Sequence, residues 1–297
     1  VIVVLGSLNV DFVARVPRLP APGETLSART FDMVPGGKGA NQALAARRAG
    51  ASVRLFGHVG DDALAPVALS RLADAGVDVS GVAVAGAPTG VALIEVDGKG
   101  ENTIVVAAGA NAATRAEQVP DSALVPTTTV VLQLEVPLAE VAAMAQRAAA
   151  RHARVVLNAA PAAALPERLI ADVDVLVVNE TEADALAQEH GAKGVADLCA
   201  AFARAERTLV VTRGAEGVSY TAQGDTFARR APVVQAVDTV GAGDAFTGAL
   251  AAALDRGADL DRAISEALAA GALACTRPGA QDALPSREEI RALADTL

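Results

Sequence analysis

The chain has 297 residues, 52% hydrophobic and 20% charged, with a mean hydropathy of +0.35. These values exclude a disordered chain and suit one large packed domain, or a core with a smaller appendage. The 25 basic and 35 acidic residues give a net charge of −10, which opposes a phosphate polyanion and speaks against nucleic acid as a partner. No segment approaches the roughly 18 uncharged apolar residues of a membrane span, and the short apolar run Val1 to Leu5 lacks the basic flank of a secretion signal. Cys199 and Cys275 are far apart and form no C-x-x-C pair, so neither a disulfide framework nor a thiolate metal cage is expected. A reducing cytoplasm is the expected compartment.

Apolar runs and helical segments alternate along most of the chain, which predicts an α/β fold with a mostly parallel central sheet flanked by helices. Val1 to Leu5 reads as a buried strand, Gln42 to Ala49 as a helix, Val53 to Gly57 as a strand and Ala63 to Ala75 as a helix. Val130 to Leu134, Val155 to Asn158, Val175 to Val178 and Leu209 to Thr212 are further short strands rich in β-branched residues. Two stretches depart from this rhythm. Residues 11–35 carry Pro17, Pro20, Pro22 and Pro35 without helical periodicity, and residues 82–107 alternate apolar and polar residues around Asp97-Gly98. Both read as β excursions that pair into a small sheet, a lid over a core made of residues 1–10, 36–81 and 108–297. From Gly241 onward the chain reads as helical, apart from a turn between Thr276 and Pro285.

Residues 238–244 read DTVGAGD and run into AFTGALAAAL, a glycine turn feeding a good helix former. Gly241, Ala242 and Gly243 can point unpaired N–H groups at one spot, where the helix dipole adds partial positive charge. Asp244 lies in the first turn beside this anion site. Phosphoryl transfer needs both a set of donors and a carboxylate that accepts the attacking hydroxyl's proton. The bland alternative is that Asp244 only complements the dipole. No G-x-x-x-x-G-K-[ST] occurs, and the third glycine of the dinucleotide fingerprint is missing.

A second glycine cluster, GGKGANQA from Gly36 to Ala43, also enters a helix. Its glycines allow close ligand approach, Asn41 offers donor and acceptor together, and Lys38 adds donors, a set suited to a polyol. Lys38 stands against the helix dipole, which favours a functional role over a merely solvated one. Asn9 and Asp11 share one side of an extended chain just past the first strand, where ligands gather in open α/β sheets. An Asx-type turn would explain the same pair. His58, His152 and His190 show no ligand spacing and carry no assignment.

In this order and spacing, the pieces resemble the ribokinase family of sugar kinases nearly end to end. The matching segments are GGKGANQALAARRAGASVRLFGHVG (Gly36 to Gly60), GENTIVVAAGAN (Gly100 to Asn111), QLEVP (Gln133 to Pro137), NETEAD (Asn179 to Asp184), TRGAEG (Thr212 to Gly217) and DTVGAGDAFTGALA (Asp238 to Ala251). The resemblance implies an ATP-dependent kinase that phosphorylates the O5 hydroxyl of D-ribose to give ribose 5-phosphate. It makes Asp244 the catalytic base, with Gly241, Ala242 and Gly243 as the anion hole for the γ-phosphoryl group. It assigns the sugar to Asn9, Asp11, Gly37, Lys38, Gly39, Ala40, Asn41, Glu135 and Asp244. ATP falls to Asn179, Thr212, Arg213, Gly214, Ala215, Glu216, Gly217 and Gly243, with Asn179 and Glu182 near magnesium through water.

The resemblance also implies a monovalent cation, usually potassium, at Asp238, Val240, Ala274, Arg277, Gly279 and Ala283, mostly through backbone carbonyls. Ala283 stands where relatives often place a serine, which removes one side-chain ligand. Leu268 stands where a histidine can occur near the nucleotide, which makes that contact apolar. A homodimer joined through the lids is expected. A nucleoside kinase is disfavoured by an aromatic content of 2%, whereas a kinase of 2-deoxyribose or a ketohexose, differing by a single group, stays open. A non-catalytic sugar-binding regulator is a third alternative, against which the intact glycine turn and Asp244 speak.

Overall fold

The computed structural model describes residues 1–98 and 101–297; Gly100, which opens the GENTIVVAAGAN segment, lies outside the described residues. The first half contains β1 (Ile2–Leu5), β2 (Asn9–Arg15), β3 (Thr30–Gly36), α1 (Lys38–Arg48), β4 (Val53–Gly60), α2 (Ala65–Asp74), β5 (Asp78–Ala85), β6 (Gly90–Val96), β7 (Asn102–Ala107), β8 (Thr129–Leu132) and α3 (Leu138–Ala149). The second half contains β9 (Arg154–Asn158), α4 (Glu167–Ala171), β10 (Val175–Asn179), α5 (Glu180–Glu189), α6 (Val195–Arg204), β11 (Thr208–Thr212), β12 (Val218–Ala222), β13 (Asp225–Arg229), α7 (Ala242–Asp255), α8 (Leu260–Ala274) and α9 (Arg287–Ala294).

A nine-stranded sheet has the order β13-β12-β11-β10-β9-β8-β1-β4-β5. It is parallel from β11 through β5, and β12 and β13 extend it antiparallel. Its strands alternate between two cores because side chains along a strand alternate between faces. Ile2, Val4, Val131, Val156, Val177 and Val210 pack on the side of α1, α7 and α8. Val3, Leu5, Val130, Leu132, Leu157 and Val211 pack on the side of α3 to α6. Both faces are dry, which is why these strands read as unbroken apolar runs.

A second sheet of order β3-β2-β6-β7 is built from the two excursions. β2 pairs antiparallel with β3 and parallel with β6, and β6 pairs antiparallel with β7. Its limits differ from those expected. Val82 to Ala85 continue β5 alongside Gly57 to Gly60 in the large sheet, so the second excursion enters the small sheet only at Gly90, while Asn9 and Val10 already belong to it. The alternation in 82–85 is that of an edge strand and does not by itself say which sheet accepts it.

The first connection runs β1 to β4 to β5 on one side, and the chain then crosses to β8 and proceeds through β9, β10 and β11 on the other. The strand order therefore reverses between β1 and β8, the place where a crevice opens beyond the carboxyl ends of the strands. Two helices start there. α1 begins at Gly37 (φ 89°) and α7 at Gly241 (φ 76°), left-handed conformations that favour glycine. The helices approach closely because Gly248 on α7 has no side chain. A Cβ there would meet the Ala45 Cβ at 2.5 Å and the Gln42 carbonyl oxygen at 2.7 Å. Among the described residues, no helix is long and apolar enough to cross a membrane.

Gly248→Ala is expected to force α1 away from α7, an overpacking that costs about 1–3 kcal/mol and lowers the melting temperature by several degrees, read by thermal unfolding followed by circular dichroism. An unchanged melting temperature would show that the two helices have room to spare.

Candidate active site

The carboxyl ends of β1, β8, β9, β10 and β11 and the starts of α1 and α7 converge on one crevice. Asp244, in the first turn of α7, is 6% exposed. Its Oδ2 accepts the Asn41 amide N–H at 2.9 Å and its Oδ1 accepts that of Gln42, also at 2.9 Å. Beside it, the Ala242 N–H is directed at the Thr239 carbonyl at 3.3 Å and the Ala245 N–H at the Gly241 carbonyl at 2.8 Å. The N–H groups of Gly241, Gly243 and Asp244 have no acceptor among the described residues. The open donors of this turn are therefore Gly241, Gly243 and Asp244 itself, with Ala242 partly committed. A Cβ at Gly243 would meet nothing within 4 Å, so the space in front of these amides is clear. Free amides at a helix start with room before them bind an anion.

On the other side of Asp244 lies a cluster of polar groups drawn from β2, α1 and the segment after β8. Glu135 Oε2 accepts from the Ser7 hydroxyl at 2.6 Å and from the Lys38 backbone N–H at 3.0 Å. The Gly39 N–H donates to the Ser7 hydroxyl at 3.1 Å and the Ala40 N–H to the Ser7 carbonyl at 2.9 Å. Asn9 Oδ1 accepts from Asn111 Nδ2 at 2.7 Å, and Asn111 is itself anchored to both backbone groups of Leu8. This leaves Asn9 Nδ2 as a donor and one Glu135 oxygen as an acceptor without a partner among the described residues.

Asp11 is buried and its carboxylate accepts no hydrogen bond from a described residue. Burial, then the nearby charges of Glu135 and Asp244, push its carboxyl from the ordinary 3.8 up to about 7. It fits against Gly36, where a Cβ would lie 2.2 Å from an Asp11 oxygen. Burial works against the charge on the Lys38 ammonium, but Asp244, Glu135 and Glu182 hold it above the usual lysine range. The cluster thus sets several acceptors and one cation around a small space, a pattern that matches a molecule with several hydroxyls.

Gly243 also borders a cavity of about 430 Å³ lined by Thr212, Gly214, Ala215, Gly217 and Ala242 on one side. Pro232, Val234, Phe246, Leu268 and Cys275 close its apolar remainder. Gly217 adopts φ 101° and a Cβ there would strike the Arg229 carbonyl oxygen at 2.1 Å. Arg213 and Glu216 do not line this cavity, although they share its turn. A larger, more open hollow of about 600 Å³ near Arg168 and His190 contains none of the predicted site residues.

Asn179 ends β10 next to Thr212 of β11 and caps α5 reciprocally with Glu182. Burial raises the Glu182 carboxyl above its usual range; the Asn179 N–H and the Lys38 charge pull the other way, and Asp244 adds to the rise. Near the second turn, Asp238 accepts from the N–H groups of Val240 and Gly279 at 3.0 Å each, which ties residues 238–240 to residues 277–283. Arg277 is ion-paired to Glu289, and Ala283 is fully buried. Ala274 closes α8 one residue before Cys275, whose carbonyl accepts from Val237 and Asp238.

Ser7, Gln42, Asn111, Gln133, Asn158 and Gln281, none of them a predicted site residue, all bond to predicted site residues or to one another. Gln42 and Gln133 lie inside the quoted segments, but nothing local shows that residues 91 positions apart exchange a hydrogen bond.

A carboxylate wedged between an anion-ready helix start and a polyol-ready cluster defines a group-transfer site on an α/β scaffold. The family model of the pfkB family carbohydrate kinases matches residues 1–287, and the chain belongs to that family. It is 37% identical to the ribokinase of Haemophilus influenzae over 96% of this chain and 95% of that protein. Among solved structures it is similar to the ribokinase of Thermotoga maritima, with a TM-score of 0.92, 33% identity and 99% of each chain covered. It is also similar to the Arabidopsis thaliana ribokinase complexed with ribose and ATP, with a TM-score of 0.88, 30% identity, and 99% of this chain and 98% of that one covered.

The raised Asp11 carboxyl has a pH signature. A group that binds its proton more tightly when folded contributes full stability below its ordinary value of 3.8 and loses that contribution as pH rises through about 7. Asp11→Asn is therefore expected to be more stable than the parent at pH 8, by on the order of a few kcal/mol, with the difference gone near pH 4. Urea unfolding across pH tests this, and parallel stability curves for the two proteins would refute it.

Proposed function

We propose that the protein is an ATP-dependent sugar kinase that transfers the γ-phosphoryl group to the O5 hydroxyl of D-ribose, giving ribose 5-phosphate and ADP. The observation that carries this reading is the position of Asp244, buried between free helix-start amides and the polar cluster of Asn9, Asp11, Asn41 and Glu135. Asp244 takes the proton from the O5 hydroxyl as that oxygen forms its bond to the γ-phosphorus. The bond from the γ-phosphorus to the bridging oxygen breaks, and ADP leaves with its electron pair. The amides of Gly241, Gly243 and Asp244 and the weakly committed N–H of Ala242 receive the charge on the moving group.

In this reading Asp11, Asn9, Asn41, Glu135 and Lys38 hold the sugar, while Gly37, Gly39 and Ala40 act one step back: a Cβ on Gly37 or Gly39 would strike the backbone of Asn9 or Ser7, and the Gly39 and Ala40 N–H groups are bonded to Ser7. A buried carboxylate that accepts from no described residue, such as Asp11, is suited to accept two sugar hydroxyls. The cavity beside the free amides takes ATP, its phosphates near Gly243 and the turn from Thr212 to Gly217, its base against Leu268 and Phe246. Arg213 and Glu216, outside the cavity lining, act through the shape of that turn. The resemblance to ribokinases, one of them complexed with ribose and ATP, supports this division.

Magnesium, when bound with ATP, neutralises phosphate charge. Asn179 and Glu182 would meet it through water, which fits one Glu182 oxygen left free by the capping pair. Asp238, with the carbonyls of Val240, Ala274, Arg277, Gly279 and Ala283, would hold a potassium ion where the two tied loops meet. Ala283 adds no hydroxyl to that set.

The small sheet serves as the lid and as the contact for a homodimer. By the strand register, Met33, Leu93 and Val105 lie in one row and Phe31 next to it on the same face, and all four are exposed. Such a face favours burial against a second copy. A cytoplasmic setting accords with two free cysteines.

Asp244→Asn is expected to keep both substrates bound while kcat falls by roughly 10²-fold or more, read in a coupled ADP assay with ribose, 2-deoxyribose, fructose and adenosine offered in turn. Turnover like that of the parent would remove Asp244 from the base role, and preference for another acceptor would move the substrate. Leu93→Asp is expected to convert a dimer to a monomer in analytical ultracentrifugation; an unchanged mass would place the interface elsewhere.

A further inference from the structure

An ionised carboxylate only accepts hydrogen bonds, so any amide that meets Asp244 must present its N–H group. Asn41 and Gln42 do this, and their carbonyls consequently point away and need donors of their own. Gln281 Nε2 donates to Asn41 Oδ1 at 3.0 Å, and Gln133 Nε2 donates to Gln42 Oε1 at 2.8 Å. Gln42 Nε2 also reaches Asn158 Oδ1 at 2.9 Å, and Asn158 in turn donates to the Val177 carbonyl. The direction imposed by Asp244 thus passes outward through two chains of amides.

Both chains end on a stranded atom. Gln133 Oε1 and Gln281 Oε1 are buried without a hydrogen-bond donor among the described residues, in side chains that are 0% and 3% exposed. A buried carbonyl that no protein group serves adds nothing to the fold's hydrogen bonding, so the pair is a poor device for stability. Flipping either glutamine would not help, because its oxygen would then face the oxygen of Gln42 or Asn41. Space is also reserved for one of them, since a Cβ on Gly6 would lie 2.1 Å from Gln133 Oε1.

We propose that Gln133 and Gln281 are positioning residues for phosphoryl transfer. Acting through Gln42 and Asn41, they hold both oxygens of Asp244 and fix the carboxylate in the orientation that meets the sugar hydroxyl. The inference rests on the reading of Asp244 as the base and deepens it. It joins groups from α1, α7, the segment after β8 and the turn between α8 and α9 into one device.

Gln133→Met in the full chain is the cleanest test. It conserves volume, deletes the stranded Gln133 oxygen and strands the Gln42 oxygen in its place, so the number of unpaired buried acceptors is unchanged. The melting temperature is expected to stay within about 3 °C of the parent. kcat per folded enzyme is expected to fall roughly tenfold or more, as a loosened catalytic group predicts, while KM for ribose and for ATP stays within about threefold. Gln281→Met is expected to lower kcat similarly with KM for ATP unchanged, and it decides the matter if Gln133→Met does not fold.

Parent-like kcat, or a loss that only follows the unfolded fraction, overturns the proposal. Asp244→Asn, measured in parallel, separates the two failures. An inactive Asp244→Asn beside a fully active Gln133→Met refutes the relay alone, and an active Asp244→Asn refutes the base on which the relay depends.

Discussion

The pair of hydrogen bonds from Asn41 and Gln42 to Asp244 joins two helices that begin more than 200 residues apart at the same crevice. Each helix opens on a glycine with positive φ, and each brings the partial positive charge of its N-terminus to that spot. Around them stand Asp11, Glu135 and Asp244, whose mutual repulsion contributes to the raised Asp11 carboxyl, and Lys38, whose ammonium Asp244, Glu135 and Glu182 hold in its charged form. The close approach at Gly248 permits this meeting, and the rest of the site is arranged around it.

The two sheets divide the work. The nine-stranded sheet, whose central strands are buried on both faces, places Ser7, Gln133, Asn158, Asn179 and Thr212 along the carboxyl ends of its strands. The four-stranded sheet is thin and exposed on much of its surface, yet it delivers Asn9 and Asp11 to the same crevice from β2. A rigid floor with one carboxylate supplied by a separate sheet suits a reaction that must admit a sugar and then keep water from a transferable phosphoryl group.

Much of the architecture was legible in the chain. Short β-branched runs such as Val130 to Leu132 and Leu209 to Val211 are buried on both faces, and that pattern survives in one sequence without partners. The two glycine motifs were equally plain, since a positive φ at a helix start leaves few residues to choose from. The edge strands were less so. Val82 to Ala85 joined the large sheet, and β12 and β13 extended it, because alternation states which face is wet and not which neighbour will pair.

The sequence by itself determined the fold class, the two glycine-fronted helix starts and the acid beside one of them, because each depends on local backbone geometry or on period. Tertiary structure alone decided that Gln133 and Gln281 stand behind Gln42 and Asn41 and that Asn111 occupies the Asn9 oxygen. Those are hydrogen bonds between side chains up to 240 residues apart. Their partners are chosen by how helices and strands pack, and no local pattern of residue types records that choice.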